Sequence, residues 1–152
     1  MIKKIVEFIA TAFYVGYLPI SGTMASLVGL VIYFCINNNN YLYAVVLAAT
    51  LILGFLTSGR AEGILKQKDS RRIVIDEVSG MLISLFLLPV KLPVIILGFF
   101  LFRAFDTLKP PPLDRLQNLR GSAGVMLDDI VAAIYTNLIL QLSLRLTSTM
   151  AS

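Results

Sequence analysis

The sequence predicts an all-α fold, a small integral membrane bundle of about five apolar helices behind an N-terminal amphipathic helix at the interface. Three observations predict it. Apolar residues make up 57% of the 152 positions and charged residues only 14%, whereas soluble domains run at about 45–50% and about 25%. Mean hydropathy is +0.84. The apolar residues also gather into separate runs divided by Gly, Pro and Asn turns, and helices are the simplest way to satisfy backbone groups inside lipid. No composition break divides the chain, so residues 1–152 are read as one domain.

The first element is Met1-Ile2-Lys3-Lys4 and the apolar residues after it. Glu7 and the lack of a small-residue cleavage site argue against a signal peptide. Ile2, Ile5, Val6 and Ile9 recur at helical spacing with Lys3, Lys4 and Glu7 between them, which predicts a retained amphipathic helix at a membrane surface. The apolar segments that follow are Met24 to Ile36, Tyr41 to Ser58, Val78 to Val90, Pro93 to Phe105 and Leu127 to Leu146. Several fall short of the ~20 residues of a full span, so the third and fourth are expected to tilt, embed partly or bury one another. Asn37 to Asn40 and Pro89 to Pro93 mark tight turns.

Charge placement gives an orientation. The chain carries 13 Lys plus Arg against 9 Asp plus Glu, a net +4. Lys3 and Lys4 precede the first segment; Arg60, Lys66, Lys68, Arg71 and Arg72 separate the second from the third; Lys109, Arg115 and Arg120 separate the fourth from the fifth. The alternate turns hold only Lys91, and Arg145 near the far end is the mild exception. Cytoplasmic loops are the basic ones, so the N-terminus and the 59 to 77 and 106 to 126 loops are assigned to the cytoplasm. This basic excess suits anionic lipid headgroups and gives no reason to expect nucleic acid. The acids fall on the same side. Loop solvation accounts for Glu62, Asp69 and Asp114, but not for Asp76, Glu77, Asp128 and Asp129.

Absences narrow the chemistry. A lone cysteine, Cys35, permits neither an internal disulfide nor a thiolate cluster, and histidine is missing. A histidine-nucleophile lipid phosphatase is thereby excluded. So is a cysteine phosphatase, since the position where its arginine would stand after Cys35 is Tyr41. Any catalysis falls to carboxylates, hydroxyls, Lys or Arg.

Asp76 and Glu77 stand where the third segment enters the apolar layer, followed by Ser79 and Gly80. Helix capping explains one acid, but two ionised carboxylates at that depth need a partner or a metal. Asp128 and Asp129 repeat the arrangement after the turn Gly121-Ser122-Ala123-Gly124. Four carboxylates drawn together repel one another unless a cation neutralises them. Mg²⁺ fits such an all-oxygen set, and zinc is disfavoured without histidine. Arg103, Asp106 and Lys109 recur at three-residue intervals before Pro110-Pro111-Pro112. They serve either as an ion pair with a flanking lysine or, beside a metal, as phosphate ligands. Pro19-Ile20-Ser21-Gly22-Thr23 opens the first segment, where capping by Ser21 or Thr23 competes with anion binding at free backbone N–H groups.

In this order, Pro19…Gly22-Thr23…Ser26, Val74-Ile75-Asp76-Glu77…Gly80, Phe102-Arg103…Asp106…Lys109-Pro110…Pro112 and Gly121…Gly124-Val125-Met126-Leu127-Asp128-Asp129…Ala132, the chain resembles the phosphatidylglycerophosphatase A family along essentially its whole length. It departs at Ser122, where the family has a second Gly, and at Ser21 and Ala25, where the family has Pro and Gly. The resemblance implies a Mg²⁺-dependent phosphatase that converts phosphatidylglycerophosphate to phosphatidylglycerol at the cytoplasmic face of a bacterial inner membrane. On that expectation some of Asp76, Glu77, Asp128 and Asp129 hold the metal, and Thr23, Arg103 and Lys109 bind substrate. Asp106 could ligate metal, orient Arg103, or act as base or nucleophile. Two other readings compete. A CDP-alcohol phosphotransferase also uses carboxylates and Mg²⁺, but its Asp-Gly and Ala-Arg signature is absent. A small cation transporter or channel subunit would place ionisable groups at mid-depth or on both faces. Oligomeric state is not predicted.

Overall fold

The computed structural model describes residues 1–68 and 70–150; Asp69, read above as a solvated loop acid, lies outside them. Among the described residues all regular structure is helical. The order is α1 (Ile2–Ala10), a 3₁₀ turn (Val15–Tyr17), α2 (Ser21–Ile36), α3 (Asn40–Leu65), α4 (Ile75–Leu85), α5 (Leu92–Leu108), α6 (Leu113–Leu116) and α7 (Ser122–Met150).

Local chemistry sets the boundaries. Asn39 caps α3, its side-chain oxygen accepting the Tyr41 and Leu42 N–H groups at 3.0 Å. Pro93 sits in the first turn of α5, where no N–H is missed. Lys109 ends α5 in the left-handed conformation at φ 44°, and Pro110 follows at once.

α4 is the central element, with α2 and α7 against it and α3 and α5 beside it. At 11 residues it is only about 16 Å long, well short of a ~30 Å apolar layer, and nine of the 11 are buried. Gly29 of α2 lets α4 close in: a Cβ there would lie 2.8 Å from Cβ of Met81 and 3.0 Å from the Val78 carbonyl oxygen. A helix ending inside a bundle leaves carbonyls without partners. Asn137 of α7 supplies them, donating to the Ile83, Ser84 and Phe86 carbonyls at 3.2, 3.1 and 2.9 Å. Tyr43 of α3 donates to the Leu82 carbonyl at 2.6 Å. The expectation of mutual burial is met in α4, at the cost of length.

The expectation of about five apolar membrane helices narrows accordingly. Two helices, Asn40–Leu65 and Ser122–Thr149, are long and apolar enough to cross a membrane. Only 22% of the α3 window is buried, and Val45, Ile52, Phe55 and Leu56 face outward. A core helix of a water-soluble fold is mostly covered, whereas α3 leaves most of its apolar surface uncovered by the rest of the described chain. α1 buries Val6 and Ala10 against Ala61, Ile73, Ile75, Val125 and Met126, while Ile2, Ile5 and Phe8 stay exposed.

α7 begins at Ser122, earlier than the expected Leu127. Gly121 turns the chain at φ 65°, and the Ser122 hydroxyl accepts the Gly59 N–H at 2.9 Å, tying the start of α7 to the end of α3. Asp128 and Asp129 therefore sit in the second turn rather than opening the helix, beyond the reach of its positive end.

Candidate active site

Val74 starts the site. Its N–H donates to the Ala10 carbonyl at 2.9 Å, which holds the stretch of chain before α4 against α1 and fixes where the helix begins. Asp76 and Glu77 then occupy the first turn of α4. Asp129 reaches the same point from α7, and carboxylate oxygens of Asp76, Glu77 and Asp129 lie within 4.8 Å of one another. Asp76 is 9% exposed, and Asp128 and Asp129 are each 3% exposed.

Crowding and burial have a direct consequence. Burial, with the neighbouring Glu77 charge next in weight, pushes the Asp76 carboxyl well above the usual carboxylate range. One oxygen on each of Asp76, Glu77, Asp128 and Asp129 is buried without a hydrogen-bond partner. Unpaired buried carboxylate oxygens are costly. Those of Asp76, Glu77 and Asp129, drawn together from two helices, form a cluster that a hard cation would complete, and the donors are all oxygen.

α5 brings the positive groups. Arg103 donates to Asp106 at 2.5 Å, one turn apart on the helix. Lys109, carried off the helix axis by its left-handed cap, donates to Asp128. Burial alone would lower the Lys109 ammonium, but the hydrogen bond and charge of Asp128 leave it above its ordinary value. The four candidate metal ligands thus divide. Asp76, Glu77 and Asp129 converge, while Asp128 spends one oxygen on Lys109 and keeps the other free. Asp106 faces Glu77 and Asp129 as well as Arg103.

A cavity of ≈ 330 Å³ opens beside the cluster, lined by Ile20, Ser21, Gly22, Arg71, Glu77, Arg103 and Thr107. Thr23, expected to bind substrate, is half-buried and is not among these residues; Ser21 and Gly22 stand there. Two lining residues, Arg71 and Thr107, are not among the site residues the sequence singles out. Thr107 lies four residues after Arg103, and that helical spacing could have disclosed it. Arg71 is placed by the Ser21 hydroxyl, which donates to the Arg71 carbonyl at 2.6 Å across 50 residues. No local pattern encodes that contact.

The family model for phosphatidylglycerophosphatase A matches residues 8–144. The chain belongs to the phosphatidylglycerophosphatase A family. Among curated proteins it is 33% identical to the phosphatidylglycerophosphatase A of Escherichia coli K12 over 134 residues, covering 84% of this chain and 77% of that one. It is 30% identical to the phosphatidylglycerophosphatase A of Haemophilus influenzae over 135 residues, covering 86% and 83%. It is 31% identical to a putative phosphatidylinositol-3-phosphatase of Bacteroides thetaiotaomicron over 140 residues, covering 84% and 86%. No solved structure matches. Membership makes the chain an enzyme, a phosphatase.

In this phosphatidylglycerophosphatase A family member, Gly22 brings the start of α2 against both halves of the site. A Cβ there would lie 2.6 Å from Glu77 Oε1 and 3.0 Å from Arg103 Nη1 and Nη2. Both contacts are to long side chains, so the fold can absorb Gly22→Ala but the geometry of the two groups cannot. Gly22→Ala is expected to lower phosphate release about a hundredfold, a displacement on the order of 1 Å being enough for that, while the thermal unfolding midpoint changes little. Wild-type turnover in the variant would show that Glu77 and Arg103 need not hold these positions.

Proposed function

We propose that the chain removes the terminal phosphate of phosphatidylglycerophosphate, giving phosphatidylglycerol and phosphate, with Mg²⁺ as cofactor, at the cytoplasmic face of a bacterial inner membrane. The observation that carries this reading is the set of four carboxylates, each with a buried, unpartnered oxygen, beside Arg103 and Lys109 in a chain of this family. Asp76, Glu77 and Asp129 would hold the ion, with Asp128 contributing its free oxygen. Bound there, Mg²⁺ supplies charge neutralisation and Lewis-acid polarisation of a phosphate oxygen.

The chain's own groups do the rest. Arg103 meets the equatorial phosphate oxygens with its planar fork, and Lys109 adds a point charge. Asp106 acts through Arg103, holding the guanidinium toward the cavity. Water attacks phosphorus in line with the ester oxygen, the P–O ester bond breaks, and the departing glycerol oxygen takes up a proton. Membrane residence is supported by the two long apolar helices and the uncovered face of α3. The cytoplasmic side is supported by the basic loops around the site, which hold Arg71, Arg72, Lys109 and Arg115. The acids gather in the first turn of α4 and the second turn of α7, whereas a cation path would need them along its depth.

The name of the Bacteroides relative makes the headgroup the point to test. Phosphatidylglycerophosphate and phosphatidylinositol 3-phosphate, offered in the same neutral micelles with Mg²⁺, should differ by at least about tenfold in kcat/KM in favour of the first. A preference for the inositol lipid would replace the proposed substrate while keeping the reaction.

A further inference from the structure

We propose that Arg71 binds the phosphodiester of the lipid substrate, so that the cavity is a two-anion site in which Arg103 takes the phosphate to be cleaved and Arg71 the one that stays. The inference rests on the substrate proposed above and goes beyond it.

Two guanidinium residues line the cavity, and they differ in what they already hold. Arg103 is engaged by Asp106 at 2.5 Å and stands against the Glu77 carboxylate through Gly22. Arg71 is exposed and has no ion pair among the described residues. Its backbone is nonetheless fixed. The Ser21 hydroxyl donates to its carbonyl at 2.6 Å. Next to it, the Arg72 carbonyl presses on Gly16, where a Cβ would come within 1.9 Å, and the Arg72 guanidinium covers the Tyr17 ring at 4.9 Å. Arg72 is thereby turned away on an aromatic face, while Arg71 is left facing the cavity on an anchored segment. Ile20, 76% exposed, lines the same cavity and offers an apolar edge where the glycerol and acyl portion would lie.

The substrate's chemistry matches this division. Phosphatidylglycerophosphate carries a terminal monoester and, one glycerol away, a diester that links the headgroup to the lipid. Catalysis changes only the first. A cation on the second binds substrate and transition state alike, so its removal should raise KM and leave kcat. An arginine suits the diester because its planar fork meets two oxygens at once.

The test uses the purified full chain in micelles of a neutral detergent. Arg71→Ala should raise KM for phosphatidylglycerophosphate about tenfold, in the range of a lost charged hydrogen bond, with kcat within about twofold of wild type. Arg71→Lys should recover most of the loss. Phosphatidylglycerol carries only the diester and inorganic phosphate resembles only the monoester. Inhibition by phosphatidylglycerol should weaken about tenfold in Arg71→Ala, and inhibition by phosphate should not change. An unchanged KM, a fall in kcat alone, or equal weakening of both inhibitors would overturn the assignment. So would an effect confined to anionic vesicles, which would make Arg71 a contact to bulk lipid charge. Absence of phosphate release by the wild-type chain would sink the substrate and this inference together, whereas release with an unaffected Arg71→Ala sinks this inference alone.

Discussion

Asp129→Asn is expected to lower phosphate release by about 10²–10³-fold, a loss typical of removing one preorganised electrostatic group, and to raise the unfolding midpoint of the metal-free chain. The two effects have one cause. Asp129 brings a buried carboxylate within 4.8 Å of Asp76 and Glu77, and an oxygen on each has no partner. Without a cation that arrangement is repulsive and desolvated. An amide of nearly the same shape removes a negative charge and adds a donor that the neighbouring oxygens can accept. Stability lost to the cluster is therefore recovered when its function is removed. Asp114 is exposed in α6, and Asp114→Asn should change neither quantity. Parallel phosphate-release assays and thermal melts in chelator check both. Unchanged turnover in Asp129→Asn would remove that residue from the site, and a lowered midpoint would mean that its carboxylate is structural.

Much of the candidate site's layout could be read in the sequence because its parts are local. Adjacent acids before an apolar run placed Asp76 and Glu77 in the first turn of α4, where they lie. Three-residue spacing put Arg103 near Asp106, where they pair. Contacts across the chain were beyond that kind of reading. Lys109 pairs with Asp128 across 19 residues, so the four acids are not equivalent. Ser21 fixes Arg71 across 50 residues. The fold divides in the same way. Apolar runs located the helices, but hydropathy does not distinguish a helix facing lipid from one enclosed by its neighbours. α4 is as apolar as a membrane segment and is buried, because Gly29 lets α2 close on it and Asn137 satisfies its last carbonyls. The start of α7 was misplaced because small residues, Ser122 to Gly124, continue the helix without an apolar signal.

Removing divalent metal is the second change with a large expected effect. Arg103 and Lys109 each have an acid partner, Asp106 and Asp128, so two cations shared among five neighbouring acids leave Asp76, Glu77 and Asp129 with net negative charge when ionised. An anionic phosphate approaching that uncompensated cluster would be repelled. With the proposed ion in place the cluster binds the substrate instead of repelling it, so removing the ion should cost nearly all activity. Zinc should substitute poorly for Mg²⁺ on an all-oxygen set. Mg²⁺ should also raise the unfolding midpoint of the wild-type chain, since a ligand bound to the folded state stabilises it, and should do so less in Asp129→Asn.

The direct measurement is phosphate release from phosphatidylglycerophosphate by the purified chain, first stripped with chelator and then titrated with Mg²⁺. A metal-dependent site predicts background release in chelator and full, saturable recovery with the ion. Release at the full rate in the stripped protein would contradict it.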